Sequence, residues 1–228
     1  SNGGMAQSPP PKTREELLEE TPADIREEAE RELLDLGLLD LAVAAVAALG
    51  VAGELELIAT LFLVGVSRLL PRPLSAIVQG PSSSGKSYLI EKVAQLFPDE
   101  AVWRVTDMTA NALYYAAPGS LRHKFVVAGE RGRRQNDDTA AGTKALREMI
   151  SSGRLVKSVV VKNMYGEPET RAIEQEGPIA FVESTTATNI FEEDRNRCLM
   201  LHTDEQPEQT RKILKLAARK VSGTASGN

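Results

Sequence analysis

Residues 74–97 read LSAIVQ-GPSSSGKS-YLIEKVAQLF: a short apolar run, a serine-rich loop with a glycine near each end, and an amphipathic stretch that stops before Pro98. The loop satisfies G-x-x-x-x-G-K-[ST] at every fixed position, Gly80, Gly85, Lys86 and Ser87, with Pro81, Ser82, Ser83 and Ser84 between them. By residue frequencies, a chance match in a chain of this length has odds on the order of 1%. The flanks strengthen the reading, because strand, glycine loop and helix is the context the motif requires. Glycines let main-chain N–H groups curl around phosphates, and the following helix turns its positive end to the same anion. Lys86 adds a point charge, and the Ser87 hydroxyl is the candidate Mg²⁺ ligand. With Tyr88, the residues from Gly80 onward form the candidate nucleotide-binding set, and ATP with Mg²⁺ is the expected ligand. The plainer alternative is a serine-rich turn with an exposed lysine.

A second stretch, Lys124–Arg134 (KFVVAGERGRR), sits some forty residues further on. Its four strand-forming residues, Phe125–Ala128, run into Gly129 and Glu130. In nucleotide-hydrolysing P-loop enzymes such a strand ends in Asp-Glu, the aspartate serving magnesium and the glutamate activating water. Glu130 stands where a catalytic base is expected, since the sheet carries that strand end to the γ-phosphate. Gly129 occupies the place of the aspartate. Magnesium binds mainly through phosphates, waters and the loop serine, so this loss should weaken catalysis more than binding. Asp107, at the end of the preceding strand, is a candidate substitute. Glu130 also admits a plainer reading, as a surface acid closing a strand.

Around these stretches the chain alternates strands and helices. AVWRVT (101–106), GPIAFVESTT (177–186) and RCLMLH (197–202) read as further strands, and LVKSVVVKNMYGEPETRAIEQ (155–175) as a hairpin turning at Asn163–Pro168. That order indicates an α/β layer fold with a mostly parallel sheet. Residues 21–72 form a helical segment in two helices: one from Thr21 to about Leu49, with Thr21 as N-cap and Pro22 at its first position, and one from Glu54 to Leu70. Residues 1–20 read as a tag remnant and disordered run, 73–205 as the ATPase core, and 206–228 as a terminal helix with a frayed tail.

The chain has 228 residues, 42% hydrophobic, and a net charge of -5. One core is affordable at that length. Its single cysteine, Cys198, provides neither a disulfide nor a Cys-based zinc site, which suits a reducing cytoplasm. Glu54 and Glu56 split the apolar stretch 41–66 into runs too short to span a membrane, so no membrane partner is expected. Charge is uneven: residues 1–40 hold 11 acids against 4 bases, and residues 122–171 hold 11 bases against 6 acids. A basic middle favours phosphate contact that is salt-sensitive and independent of sequence. Within it, Arg131, Arg133 and Arg134 read equally as a mobile loop or as a nucleic-acid contact.

Two other groups sit at strand ends. Thr185 and Thr186 are candidates for holding the attacking water or sensing the γ-phosphate, or are simple turn residues. Arg195 and Arg197 precede an apolar strand, where an arginine can reach a neighbouring subunit's nucleotide, or merely pair with Glu192, Glu193 or Asp194.

The succession GPSSSGKS, FVVAGE, hairpin, FVESTT and EDRNR resembles AAA+ ATPases of the pre-sensor-1 hairpin group, which includes the minichromosome-maintenance helicases. It is closer still to the ATPase module of primase-helicase-like replication proteins of phages and mobile elements. The likeness runs over residues 30–216. It implies a three-layer sandwich on a five-stranded sheet, with an N-terminal helical extension, an inserted hairpin and a truncated lid. It further implies Glu130 as catalytic glutamate, a hydroxyl in Ser184–Thr186 as the γ-phosphate sensor, and Arg197, then Arg195, as finger in trans. In that group the hairpin grips DNA inside a ring. Here its bases are Lys162 by the turn and Lys157 and Arg171 on the legs, and Tyr165 is placed to stack on a base. The expected protein is therefore a cytoplasmic, bacterial or phage-encoded homo-oligomeric ATPase acting on single-stranded or forked DNA. The rival expectations are a loader ATPase that hydrolyses slowly or never, which Gly129 favours, and a small-molecule kinase, which leaves hairpin and arginines unexplained.

Overall fold

The computed structural model describes residues 14–105, 110–131 and 137–225. The chain divides into two compact units, residues 1–39 and 40–228. In the first, α1 (Arg14–Glu20) lies within the run expected to be disordered, and α2 (Ala23–Leu33) buries no residue. The expected cap at Thr21 is not made: its hydroxyl donates back to the Leu17 carbonyl at 2.7 Å, and Pro22 occupies the N-cap of α2. The single long helix expected over 21–49 is broken as well. Asp35 Oδ1 accepts the Gly37 N–H at 2.7 Å, a side-chain turn that competes with helix continuation.

The second unit holds the sheet. In chain order come α3 (Leu38–Ala48), α4 (Leu55–Val66), β1 (Ser75–Gln79), α5 (Lys86–Ala94), β2 (Val102–Val105), α6 (Ala110–Tyr114), β3 (Lys124–Arg131), α7 (Asp137–Ser152), β4 (Arg154–Lys162), β5 (Pro168–Glu176), β6 (Ile179–Thr185), α8 (Glu192–Arg195), β7 (Leu199–His202) and α9 (Pro207–Ala225). Five strands form one parallel sheet in the order β2-β3-β6-β1-β7, and β4 and β5 form a separate antiparallel hairpin. No helix among the described residues is long and apolar enough to cross a membrane.

Two cores flank the sheet. On one face α4 and α5 contribute Leu57, Ile58, Leu61, Leu89, Ile90 and Val93 against Ala76, Val78, Phe125 and Val182. Each such aliphatic side chain removed from water stabilises the fold by about 1.5–3 kcal/mol. Phe97 closes this layer, edge-on to Phe125 at 5.2 Å and tilted against Phe62 at 5.6 Å. Gly65 on α4 makes room for it, because a Cβ there would collide with the Phe97 ring. On the other face Leu113, Leu146, Met149 and Leu155 pack on Val126, Ile179 and Phe181. Alternation along the strands therefore sends Phe125, Val127 and Val182 toward α5, and Val126 and Phe181 toward α7.

Candidate nucleotide-binding site

The loop after β1 is wound tightly. Ser83 has φ +65° and Gly85 φ +82°, both left-handed, and Gly85 caps α5. At Ser83 this conformation costs roughly 1–2 kcal/mol, the kind of strain that collects at ligand cradles. Gly80 is required for a different reason: a Cβ there would collide with Thr203 Oγ1 and approach Ser84 Oγ to 3.1 Å. Both hydroxyls are buried with no hydrogen-bond partner among the described residues. Lys86, only 4% exposed, folds back into its own loop and donates to the carbonyls of Gly80 at 3.0 Å and Pro81 at 2.7 Å.

These features fit a triphosphate. Left-handed turns aim successive N–H groups inward, Lys86 supplies a buried cation, and two hydroxyls remain to be satisfied. For magnesium the chain offers a hard oxygen donor, Ser87 Oγ, which lies 3.2 Å from Ser184 Oγ.

The candidate base reaches this place through a register shift. Val127 pairs with Val182 and Glu130 with Ser184, so β3 uses one more residue than β6 over that interval. Strict alternation would put Glu130 on the α7 face. The extra residue turns it to the α5 face, in line with Ser184 and hence Ser87, a re-aiming typical of bulges near functional sites. Glu130 is exposed at the end of its strand.

Beside it, an open cleft of about 240 Å³ is lined by Ser87, Ile90, Glu91, Arg104, Val105, Val127, Ala128 and Gly129. Arg104, paired with Val127 in the sheet, lies on the α5 face and donates from Nε to Glu91 at 3.0 Å. Neither Glu91 nor Arg104 was singled out from sequence. Glu91 sits four residues after Ser87, the spacing that shares a helix face.

Thr185 is buried on the opposite face from Ser184, and its Oγ1 accepts the Ala187 N–H at 3.1 Å. Thr186 follows the strand, half-buried. Of the three hydroxyls, the structure brings Ser184 to the loop serine. Tyr88 donates from its hydroxyl to the Leu49 carbonyl at 3.1 Å. That contact brings the 49–54 segment alongside, where Gln209 of α9 donates to the Ala52 carbonyl and Glu54 accepts the Asp204 N–H at 2.9 Å. Partial burial raises the Glu54 carboxyl above its usual range, with nearby Asp204 adding to the effect; the hydrogen bond from the Asp204 N–H and the charge of Lys212 oppose it.

The arginines after β6 differ in their commitments. Arg197 donates from Nε to Ser151 Oγ at 2.7 Å and from Nη1 to the Glu193 carbonyl at 2.8 Å. The guanidinium of Arg195, exposed at the end of α8, has no hydrogen bond or ion pair among the described residues. Arg147 of α7, missed from sequence, grips buried Asp194 through Nε–Oδ1 at 2.6 Å and Nη2–Oδ2 at 2.9 Å. It also reaches Glu193 at 3.1 Å and covers the Phe191 ring at 5.6 Å.

The hairpin turns at Asn163, whose Oδ1 accepts the N–H groups of Tyr165 at 2.9 Å and Glu167 at 3.0 Å. Met164 and Tyr165 crown it, 89% and 79% exposed. Lys157 leans into its own domain, 3.2 Å from Asn111 Oδ1 and over the Tyr114 ring at 5.1 Å. Arg171 lies 3.4 Å from Glu169, and Arg154 pairs with Glu174. Lys162 is exposed, with no such partner among the described residues. Asp107, Arg133, Arg134 and the Arg131 side chain lie outside the described residues.

No family model and no curated protein sequence matches the chain. Among solved structures, a full-length MCM homolog from Methanopyrus kandleri is similar, with a TM-score of 0.55 at 16% identity, over 87% of this chain and 45% of that one. The chain thus spans less than half the length of that protein. At this identity the likeness is one of fold: a mostly parallel five-stranded α/β sheet, here carrying the phosphate loop at the end of β1.

Proposed function

We propose that the chain is the ATP-binding and hydrolysing module of a ring-forming DNA helicase or translocase, of the kind found in primase-helicase-like replication proteins. The observation that carries the reading is the shift in β3, which brings Glu130 level with Ser184 and Ser87 at the mouth of the phosphate loop. Residues 80–87 hold the phosphates, and Lys86 leaves its two loop carbonyls to meet them. Ser87 supplies a ligand to magnesium, whose role when bound is to neutralise charge on the transferred phosphoryl group. Glu130 accepts a proton from the attacking water, and Ser184 orients that water or reads the γ-phosphate. Arg195, whose guanidinium has no partner among the described residues, is the better placed finger for a neighbouring site. Arg197 and Arg147 hold the turn that presents it.

DNA is the proposed partner of the hairpin, with Tyr165, Met164 and Lys162 as its contact. Lys157 and Arg171 are committed elsewhere, and residues 154–176 carry 4 bases against 4 acids. A neutral hairpin implies contact through bases and stacking more than through phosphate attraction.

A second reading, a nucleotide-gated assembly ATPase with slow turnover, is favoured by Gly129 and by the same neutrality. Phosphate release by wild type, Lys86→Ala and Glu130→Gln, with and without single-stranded DNA, separates the two. The motor reading expects turnover that DNA stimulates and that both substitutions abolish. Equal rates for wild type and Glu130→Gln would remove Glu130 from the chemistry and leave the gating reading.

A further inference from the structure

We propose that Glu91 supplies, from helix α5, the carboxylate that the end of β3 lacks, and that it orders the water shell of the nucleotide's magnesium; the inference rests on the nucleotide reading above. Three observations converge on it. First, Gly129 has no side chain, and a cleft lies open at that point between β3 and α5. Second, Ser87, the magnesium ligand, and Glu91 both line this cleft, one helical turn apart on one face of α5. Third, Arg104 of β2 fixes the Glu91 carboxylate with two contacts, at 3.0 and 3.3 Å to its two oxygens, and so holds it at the wall of the cleft.

Magnesium retains several waters, so a carboxylate acting through them tolerates a longer reach than a direct ligand would. A glutamate one turn along the helix therefore replaces an aspartate at the strand end without a change in the fold. Arg104 is the positioning residue of the pair: its Nε meets both carboxylate oxygens, each of which keeps a further lone pair to accept from water. Outer-shell partners of this kind set metal affinity as well as rate.

The test reads metal affinity, not turnover. Mn²⁺ binding is followed by electron paramagnetic resonance on the full chain saturated with a non-hydrolysable ATP analogue, and analogue binding is measured separately in chelator. Glu91→Gln is expected to weaken Mn²⁺ about 10-fold while leaving chelator-phase analogue binding unchanged. Arg104→Gln breaks the same ion pair but keeps the carboxylate, and should weaken Mn²⁺ less than Glu91→Gln does. Gly129→Asp, placed in the Glu91→Gln background, should restore it. Unchanged Mn²⁺ affinity in Glu91→Gln overturns the inference. Equal weakening by Arg104→Gln, with no rescue by Gly129→Asp, does so too by reducing Glu91 to half of a structural ion pair. If wild type binds no analogue even in chelator, the nucleotide reading itself fails, and this inference fails with it.

Discussion

At the scale of single residues, the site is built from close approach and from unsatisfied polar atoms. Gly80 faces Thr203 so directly that any side chain must displace it. Gly80→Ala is therefore expected to destabilise the fold by about 1–3 kcal/mol, as overpacking of a filled interior does. Adding Thr203→Ala should recover part of that loss, because it removes both the obstructing hydroxyl and a buried donor without a partner among the described residues. Denaturant melts of the two single variants and the double variant form the cycle that checks this, and strict additivity would deny the contact. Glu54 offers a pH test. Its folded carboxyl is raised, chiefly by burial, so the folded state takes up the proton more readily than the unfolded chain. The stability this provides is full below the unfolded carboxylate range and is lost as pH rises through the raised folded value. Glu54→Gln keeps an acceptor for the Asp204 N–H and carries no charge. It should melt higher than wild type at neutral pH, the gap closing as pH falls into the acid range. A gap that widens on acidification would contradict the burial argument.

At the scale of elements, loop, strand end and helix act as a unit, and legibility in sequence followed locality. The strand-loop-helix around Gly80–Ser87 was readable because its spacing and its chemistry are both local. The order of the remaining strands was readable because apolar runs bounded by glycine and proline need no distant partner to declare themselves. What escaped depends on tertiary geometry. The shift between Val127 and Glu130 exists only relative to β6, and it decides which face Glu130 takes. That Ser184 and not Thr185 meets Ser87 follows from strand parity in the same way. The contacts of Lys157 with Tyr114 and Asn111 were equally hidden, since both lie more than forty residues away in the chain. Thr21 satisfies every local rule for an N-cap, yet a preceding helix offers its hydroxyl the Leu17 carbonyl. The α7–α8 clamp was likewise invisible, since Arg147 and Asp194 lie 47 residues apart. Asp194 has a side-chain exposure of 3% and Arg147 of 22%. Replacing the guanidinium by Met in Arg147→Met withdraws a bidentate partner from a buried carboxylate and is expected to cost about 3 kcal/mol in chemical denaturation. A change within error would mean that the clamp contributes no stability.

At the scale of the whole molecule, a parallel sheet with helices on both faces delivers the ends of β1, β3 and β6 to one edge. Ser87, Glu130 and Ser184 therefore come to one end of the sheet, although Ser87 and Ser184 lie 97 residues apart in the chain. Net charge is -5, so attraction to a polyanion has to be local, and the hairpin's balance of charges limits it further. The proposed partner binding, ring assembly and turnover all presuppose an occupied cradle, and calorimetric titration of ATP into the folded full chain tests that occupancy directly. The account predicts one ATP bound per chain in wild type and none in Lys86→Ala. Folded wild-type protein that gives no heat of binding with ATP or GTP would contradict it.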